Sequence, residues 1–571
     1  MPRPAVFWTI ACLAAGAAVA QAWWLRWSCD DAYITFRYAQ HFVQGHGLVF
    51  NRDPAEAPVE GYSNFLWTLW CALGMALGFT QDRIELWSNF WGTAAHGATV
   101  VLLAGVGWRA SRGRATVPLA ACGYAALHHA ASLAPAGLET AWFVWLVLWL
   151  CRCCLEPRCP RKAASAGCVA ALAAMTRPDG ALVAASAGLC FLVDALRTRK
   201  VGAVAAYTAP LVLLFGSYLL WRHDYYGFWL PNTFYAKSAG EPYPGQGLRY
   251  VVEFLRCYWV LVPVLVLPWL WSVRAPDPLA PLSPYLGRRP WLVLLAFTVP
   301  YLLFVLWVGG DFMFGRFLVP IAPLWLLALD FACLRWRWRG LPWLLGPGLV
   351  LGLLLRHEPP WLGDYLHNPY GFTDNRAISV APLTPELTRI DGSRMAGQYL
   401  RWLCAGLDVR LAIMGSHANL AYRSEVPVAI ECSTGLTDVR LAHQELSRRG
   451  RIGHEKGYRS ALHYLTHERG VQISFDLDYR SGDLTDAWRD LQFPVIPARL
   501  LRWDGALLAA LRARDPNIAC ADVPARIDEY LAGIQNRDRE QVRTDYAALC
   551  RFYFDHNDDP ARRAAFEAVL K

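Results

Sequence analysis

Apolar residues gather in blocks of membrane-span length over the first 356 residues, separated by short polar connectors. Blocks near 5–24, 88–108, 116–133, 138–151, 163–177, 180–196, 201–221, 249–272, 290–308, 316–334 and 340–356 predict about 11 transmembrane helices, since a bilayer core takes about 20 apolar residues. A further apolar stretch, Phe65–Phe79, is shorter and carries Trp67 and Trp70, which predicts a helix lying in the interface. Residues 357–571 are polar and acid-base balanced. There, short apolar runs such as Val409–Met414 and Val426–Ile430 alternate with helical, Arg-rich stretches such as Asp438–Arg449, the pattern of an α/β domain. The expected fold is a polytopic α-helical membrane protein over 1–356 with a soluble α/β domain over 357–571.

Composition sharpens this picture. Of 571 residues, 55% are hydrophobic, 18% are charged and 27 are tryptophan, which excludes an ordinary soluble enzyme. The net charge of +9 is not a nucleic-acid face, because the basic residues sit in clusters between apolar blocks. These clusters are Arg109, Arg112 and Arg114; Arg152, Arg158, Arg161 and Lys162; Arg197, Arg199 and Lys200; Arg274, Arg288 and Arg289; and Arg335, Arg337 and Arg339. The positive-inside rule assigns all of them to the cytoplasm. The amino terminus is then cytoplasmic and the carboxyl-terminal domain external. Arg3, an apolar core and the small residues near Ala18–Ala22 resemble a signal peptide, but the long apolar stretch and Trp23, Trp24 and Trp27 favour an uncleaved first helix.

The 16 cysteines lack metal-ligand spacing, including the crowded Cys151, Cys153, Cys154 and Cys159. Cys404, Cys432, Cys520 and Cys550 are candidates for disulfides in an exported domain. No P-loop or dinucleotide glycine pattern is present, so a nucleotide-sugar site is not expected.

The external side collects Asp30-Asp31 in a first loop over 25–87, with Glu60, Glu139, Arg177-Pro178-Asp179, the loop 222–248 and Gly309-Gly310-Asp311. Charge at a membrane edge is costly and is seldom kept without a use, and two adjacent acids repel, which tunes one of them as a base. Helix capping is the structural alternative for the pair.

DDAYITFRYAQHFVQGHGLVFN (30–51) and VEGYSNFLWTLW (59–70) resemble the first external loop of C-type glycosyltransferases. The nearest branch is the bacterial group containing the mycobacterial terminal arabinofuranosyltransferases. PNTFYAK (231–237), GGDFMFGRFLVP (309–320), and GLTDVRLA with GHEK (435–442 and 453–456) are similar to that branch too. The resemblance implies transfer of a sugar, arabinofuranose first among the candidates, from a polyprenyl-phosphate donor to a cell-envelope glycan or surface-protein acceptor. It sets the reaction on the outer face of the bacterial inner membrane. Such a reaction needs a base for the acceptor hydroxyl, cations for the departing phosphate and polar groups to hold the sugar. Asp30 or Asp31 is the catalytic candidate, with Asp30 preferred as base. Lys237, Arg316 and Arg37 are the phosphate candidates, Arg316 following a glycine break that lets backbone approach a ligand. Glu60, Asn64, Glu139, Asp179, Asn232 and Asp311 are candidates for sugar or acceptor binding, with His46 and His454 as further polar ligands. A divalent cation, Mg²⁺ or Mn²⁺, at the acids is compatible with the residues but demanded by no spacing. The competing functions are a lipid-linked saccharide transporter or flippase and an oligosaccharide ligase. A transporter is disfavoured because the acids lie at one membrane edge and no repeated halves are visible.

Overall fold

The computed structural model describes residues 4–571 except 55, 82, 157–158, 273–289, 336–339, 365–366, 385–386, 415–416, 447, 457–460 and 478–479. Arg3, Arg158, Arg274, Arg288, Arg289, Arg337 and Arg339 therefore lie outside the described residues.

Each predicted apolar block is helical, but the blocks are not equal. Among the described residues, five helices are long and apolar enough to cross a membrane: Pro4–Trp24, Ile84–Ala110, Gly180–Thr198, Gly202–Tyr226 and Pro290–Val308. Thr140–Leu155, Pro160–Thr176, Ala322–Arg335 and Leu341–Leu354 are shorter. Phe65–Ala76 has 12 residues and reaches about 18 Å, too short for the roughly 30 Å hydrocarbon core.

Two blocks expected as single helices are broken. The first divides into Leu119–Ala126 and His128–Leu133, with Leu127 extended between them. The second divides into Pro244–Cys257 and Leu261–Ser272, with Tyr258 leaving helical geometry. The two breaks meet. The Tyr258 hydroxyl accepts from the His129 backbone N–H at 3.1 Å, supplying a partner that the interrupted helix cannot. Irregular backbone at membrane depth is tolerated where protein buries it, and both residues are buried.

A six-stranded mixed sheet forms between residues 410 and 520. Its strands are β1 (Arg410–Ile413), β2 (Val428–Glu431), β3 (Ile473–Ser474), β4 (Asp490–Gln492), β5 (Pro497–Leu500) and β6 (Ala519–Cys520). Their order is β2-β1-β3-β5-β4-β6, with β2, β1 and β3 parallel and the others antiparallel. Asp504, Asp522, Asp538 and Asp559 cap the helices that follow them by accepting backbone N–H bonds.

Packing does not divide at residue 356. Tyr38, Leu48, Phe50, Tyr62 and Tyr226 share one apolar core with Leu400, Leu411, Ile473 and Leu500. Cys404, Cys432, Cys520 and Cys550, the four candidates for disulfides, are free thiols.

Candidate active site

Asp30 and Asp31 open the helix Asp30–Val43 but neither caps it. Asp30 is turned toward a distant helix, Ala418–Ser424, and accepts from the Ala418 and Asn419 backbone N–H groups at 2.8 and 2.9 Å. Burial pushes its carboxyl up to about 7, against the pull of those two amides and with help from Asp31. Asp30 is thus a cap for a helix 388 residues away.

Asp31 faces a cavity walled also by Ile34, Phe50, Lys237, Phe312, Glu431 and His454. Four of the five motifs contribute to these walls, through Asp31, Lys237, Phe312 and Leu436 with His454. The cavity lies at the carboxyl ends of the parallel strands, where Met414 follows β1 and Glu431 ends β2. Parallel sheets bind ligands at that edge because their loops converge there. The solvent space inside is about 40 Å³, room for about three waters. An adjoining groove of about 470 Å³ shares Phe50 and Thr437 with it and is lined by His46, Arg52, Asp53 and Tyr225.

Among the described residues, Asp31 has no hydrogen-bond or ion-pair partner, and neither does the Lys237 ammonium. Lys237 ends the turn after Asn232–Ala236, with its ammonium 5.7 Å from the Phe312 ring centre. Its stem runs over Gly453, where a β-carbon would sit 3.6 Å from it. The other charges at the cavity are committed. Glu431 accepts from the Ser433, Thr434 and Leu436 backbone N–H groups and from the Thr434 hydroxyl. His454 packs edge-on against Phe312, and burial pushes its imidazole down to about 4, so it is neutral at pH 7.

Arg316 pairs with Asp311 and lies close enough to Asp31 to feel its charge. The glycines before this pair, Gly309 and Gly310, have φ of 88° and 84°, a conformation that glycine adopts without strain. A side chain at Gly310 would collide with Tyr250 at 2.5 Å. The close approach expected there is to Tyr243 and Tyr250, not to a ligand.

Most of the remaining sequence candidates are partnered away from the cavity. Arg37 donates to the Phe50 and Val426 carbonyls at 2.7 Å and to the Ala421 carbonyl, which leaves its guanidinium turned from any phosphate at the cavity. Asn232 donates to the Gly435 and Leu436 carbonyls at 2.9 Å and so shapes a cavity wall from behind. Glu60 faces Arg222 at 3.5 Å, and burial pushes its carboxyl up to about 8 despite that cation. Asn64, Glu139 and Asp179 join one buried network: Asn64 donates to Glu139 at 2.9 Å, and Arg177 bridges Glu139 at 3.3 Å and Asp179 at 2.9 Å. The Tyr301 hydroxyl completes it by donating to Asp179 at 2.5 Å. His46 lines only the groove. Sequence reading did not find Glu431 or Phe312. The signal for Glu431 was an acid ending an apolar strand, Val-Ala-Ile-Glu.

No protein-family model matches the chain. A terminal beta-(1->2)-arabinofuranosyltransferase of Corynebacterium glutamicum is 29% identical over 352 residues, 56% of this chain and 50% of that protein. Its namesake in Mycobacterium tuberculosis is 29% identical over 345 residues, 54% of this chain and 52% of that protein. The chain spans about half the length of the curated relatives it matches. With its apolar helices, this makes it a membrane protein similar to glycosyltransferases. In sequence the chain stands close to the terminal arabinofuranosyltransferase branch, as the motifs meeting at the cavity suggest.

Proposed function

We propose that the chain transfers an arabinofuranosyl residue from a polyprenyl-phosphate donor to a cell-envelope glycan or surface-protein acceptor. The observation that carries this reading is a free carboxylate, Asp31, and a free ammonium, Lys237, walling one cavity. An acceptor hydroxyl gives its proton to Asp31 while its oxygen bonds to the anomeric carbon. The bond from that carbon to the phosphate oxygen breaks, and its electron pair leaves with the polyprenyl phosphate. Lys237 answers the charge that grows on this oxygen, with Arg316 behind it. The base is assigned to Asp31 in place of Asp30, whose oxygens are engaged by backbone amides. A sugar ring needs more room than the present cavity has, so Phe312, Lys237 or His454 shifts as the donor enters. The adjoining groove suits the acceptor, because Tyr225 and Arg52, Asp53 and Asn51 offer an aromatic face beside hydrogen-bonding groups.

One carboxylate with a donor phosphate suits Mg²⁺, which would neutralise phosphate charge. A cation on Asp31 would lower its basicity, so with Asp31 as a metal-free base added Mg²⁺ or Mn²⁺ should change turnover less than about twofold. In the proposed topology the shorter and broken helices complete 11 spans, with residues 1–356 as the membrane domain and 357–571 outside the inner membrane. Support comes from the basic connectors that alternate with the segments carrying cavity residues. After removal of background cysteines, a probe at residue 240 should label from outside and one at 198 only after permeabilisation; the reverse pattern overturns this orientation. The decisive assay is mass spectrometry of the purified protein turning over a panel of polyprenyl-phosphate sugars. Consumption of the arabinofuranosyl donor with formation of a glycoside is expected, and no turnover of any member sinks the reading.

A further inference from the structure

The two helix breaks that meet at Tyr258 bring together groups that the transfer reaction does not use. His129, Cys257 and Glu358 come from three separate segments, and their ligand atoms all lie within 4.8 Å of one another. His129 and Cys257 are fully enclosed, at 2% and 0% exposure. The His129 Nδ1 is fixed by the Tyr258 hydroxyl at 2.5 Å. Its Nε2 is buried with no partner among the described residues. Cys257 is a free thiol, and its carbonyl accepts from the His357 N–H at 3.0 Å, which anchors the segment carrying Glu358. Glu358 pairs through Oε1 with Arg356, leaving Oε2 for another partner.

We propose that His129 Nε2, Cys257 Sγ and Glu358 form a zinc site that ties together the two broken helices and the chain leaving Leu341–Leu354. The donor set decides the ion. A thiolate disfavours Mg²⁺ and Ca²⁺, whereas nitrogen, sulfur and carboxylate together suit Zn²⁺, with water in the fourth position. Zinc bonds of about 2.0–2.3 Å require the three ligand atoms to draw together by roughly 1 Å. Cys257 releases its proton to solvent as the metal binds. A second partner on the other ring nitrogen is the usual way to orient a ligating imidazole, and Tyr258 holds that place. The site braces the catalytic cavity from beneath, since His129 packs against Phe314 and Gly315, within the segment that supplies Phe312 and Arg316.

The test uses the full chain purified in detergent from cells grown with zinc, and it is independent of any transfer assay. Elemental analysis after dialysis should find about one zinc per chain in the wild type and in Asp31→Asn, and at least about tenfold less in Cys257→Ser. Cobalt added to the apoprotein should give a near-ultraviolet thiolate-to-cobalt absorption that Cys257→Ser lacks and Glu358→Gln shifts. The cobalt spectrum of the wild type keeps the proposal testable if a variant fails to fold. A wild-type chain with no stoichiometric zinc and no thiolate-to-cobalt band overturns it.

Discussion

Two groups of charge, one buried and one lining a cavity, differ in how they are answered. In the network behind the first loop, Arg177 sits between Glu139 and Asp179, Asn64 holds Glu139, and Tyr301 holds Asp179. At the cavity, Asp31 and Lys237 have no such partners among the described residues. A charge withdrawn from water is costly unless paired, so unpaired groups in a concave site mark places where a ligand supplies the missing interactions. The network is compensated from within; the charges at the cavity are not.

The largest test of this contrast is Asp31→Asn. Loss of a general base should lower kcat by about 10²–10⁴-fold, with membrane insertion and melting temperature unchanged. Turnover within a few-fold of wild type rules out Asp31 as the base. Arg177→Met should do the opposite. It leaves Glu139 and Asp179 uncompensated, a cost of about 3–5 kcal/mol, read as a lower melting temperature or loss of monodisperse protein. A variant as stable as the wild type removes the structural role of the network. Lys237→Ala should reduce kcat/KM for the polyprenyl-phosphate donor by about tenfold to a hundredfold, as a charge-assisted contact allows. Lys237→Arg should recover part of that, and donor kinetics unchanged in Lys237→Ala shift the phosphate role to Arg316.

Asp30→Asn should have the smallest effect. An amide side chain still accepts one of the two helix-cap bonds, so stability should fall by about 1 kcal/mol and turnover should stay within about tenfold. The pH profile sharpens this further. The folded protein holds the Asp30 proton up to about pH 7, while the unfolded chain releases it near 3.8. Protons are then bound more tightly by the folded state, so this group's contribution to stability falls as pH rises from about 4 to about 7. Across that window the melting temperature of the wild type should fall relative to that of Asp30→Asn, whose amide does not titrate. Parallel profiles show that Asp30 titrates normally.

The helical segments were legible because membrane-span blocks of apolar residues leave few alternatives. The break at Leu127 was not, because no glycine or proline stands there and the Tyr258 hydroxyl that answers its backbone comes from 129 residues away. At Tyr258 the local signal was Pro263, in the first turn of the following helix, which cannot donate to the Trp259 carbonyl. The acid pair was legible as a pair. Its division of labour was not, because the amides that claim Asp30 arrive from Ala418 and Asn419, far along the chain. Arg37 misled for the same reason. Its motif position suggested a ligand contact, while its partners are four carbonyls that no local pattern reveals.

The long reach of Asp30 also orders the making of the protein in time. The first loop leaves the ribosome 388 residues before the amides that hold Asp30, and Arg37 waits 389 residues for Val426. At about 5–20 residues per second this gap lasts roughly 20–80 s. Throughout it Asp31 has been made, whereas Glu431 and His454, which also wall the cavity, have not. An unfinished chain therefore lacks walls of the cavity until synthesis has passed residue 454.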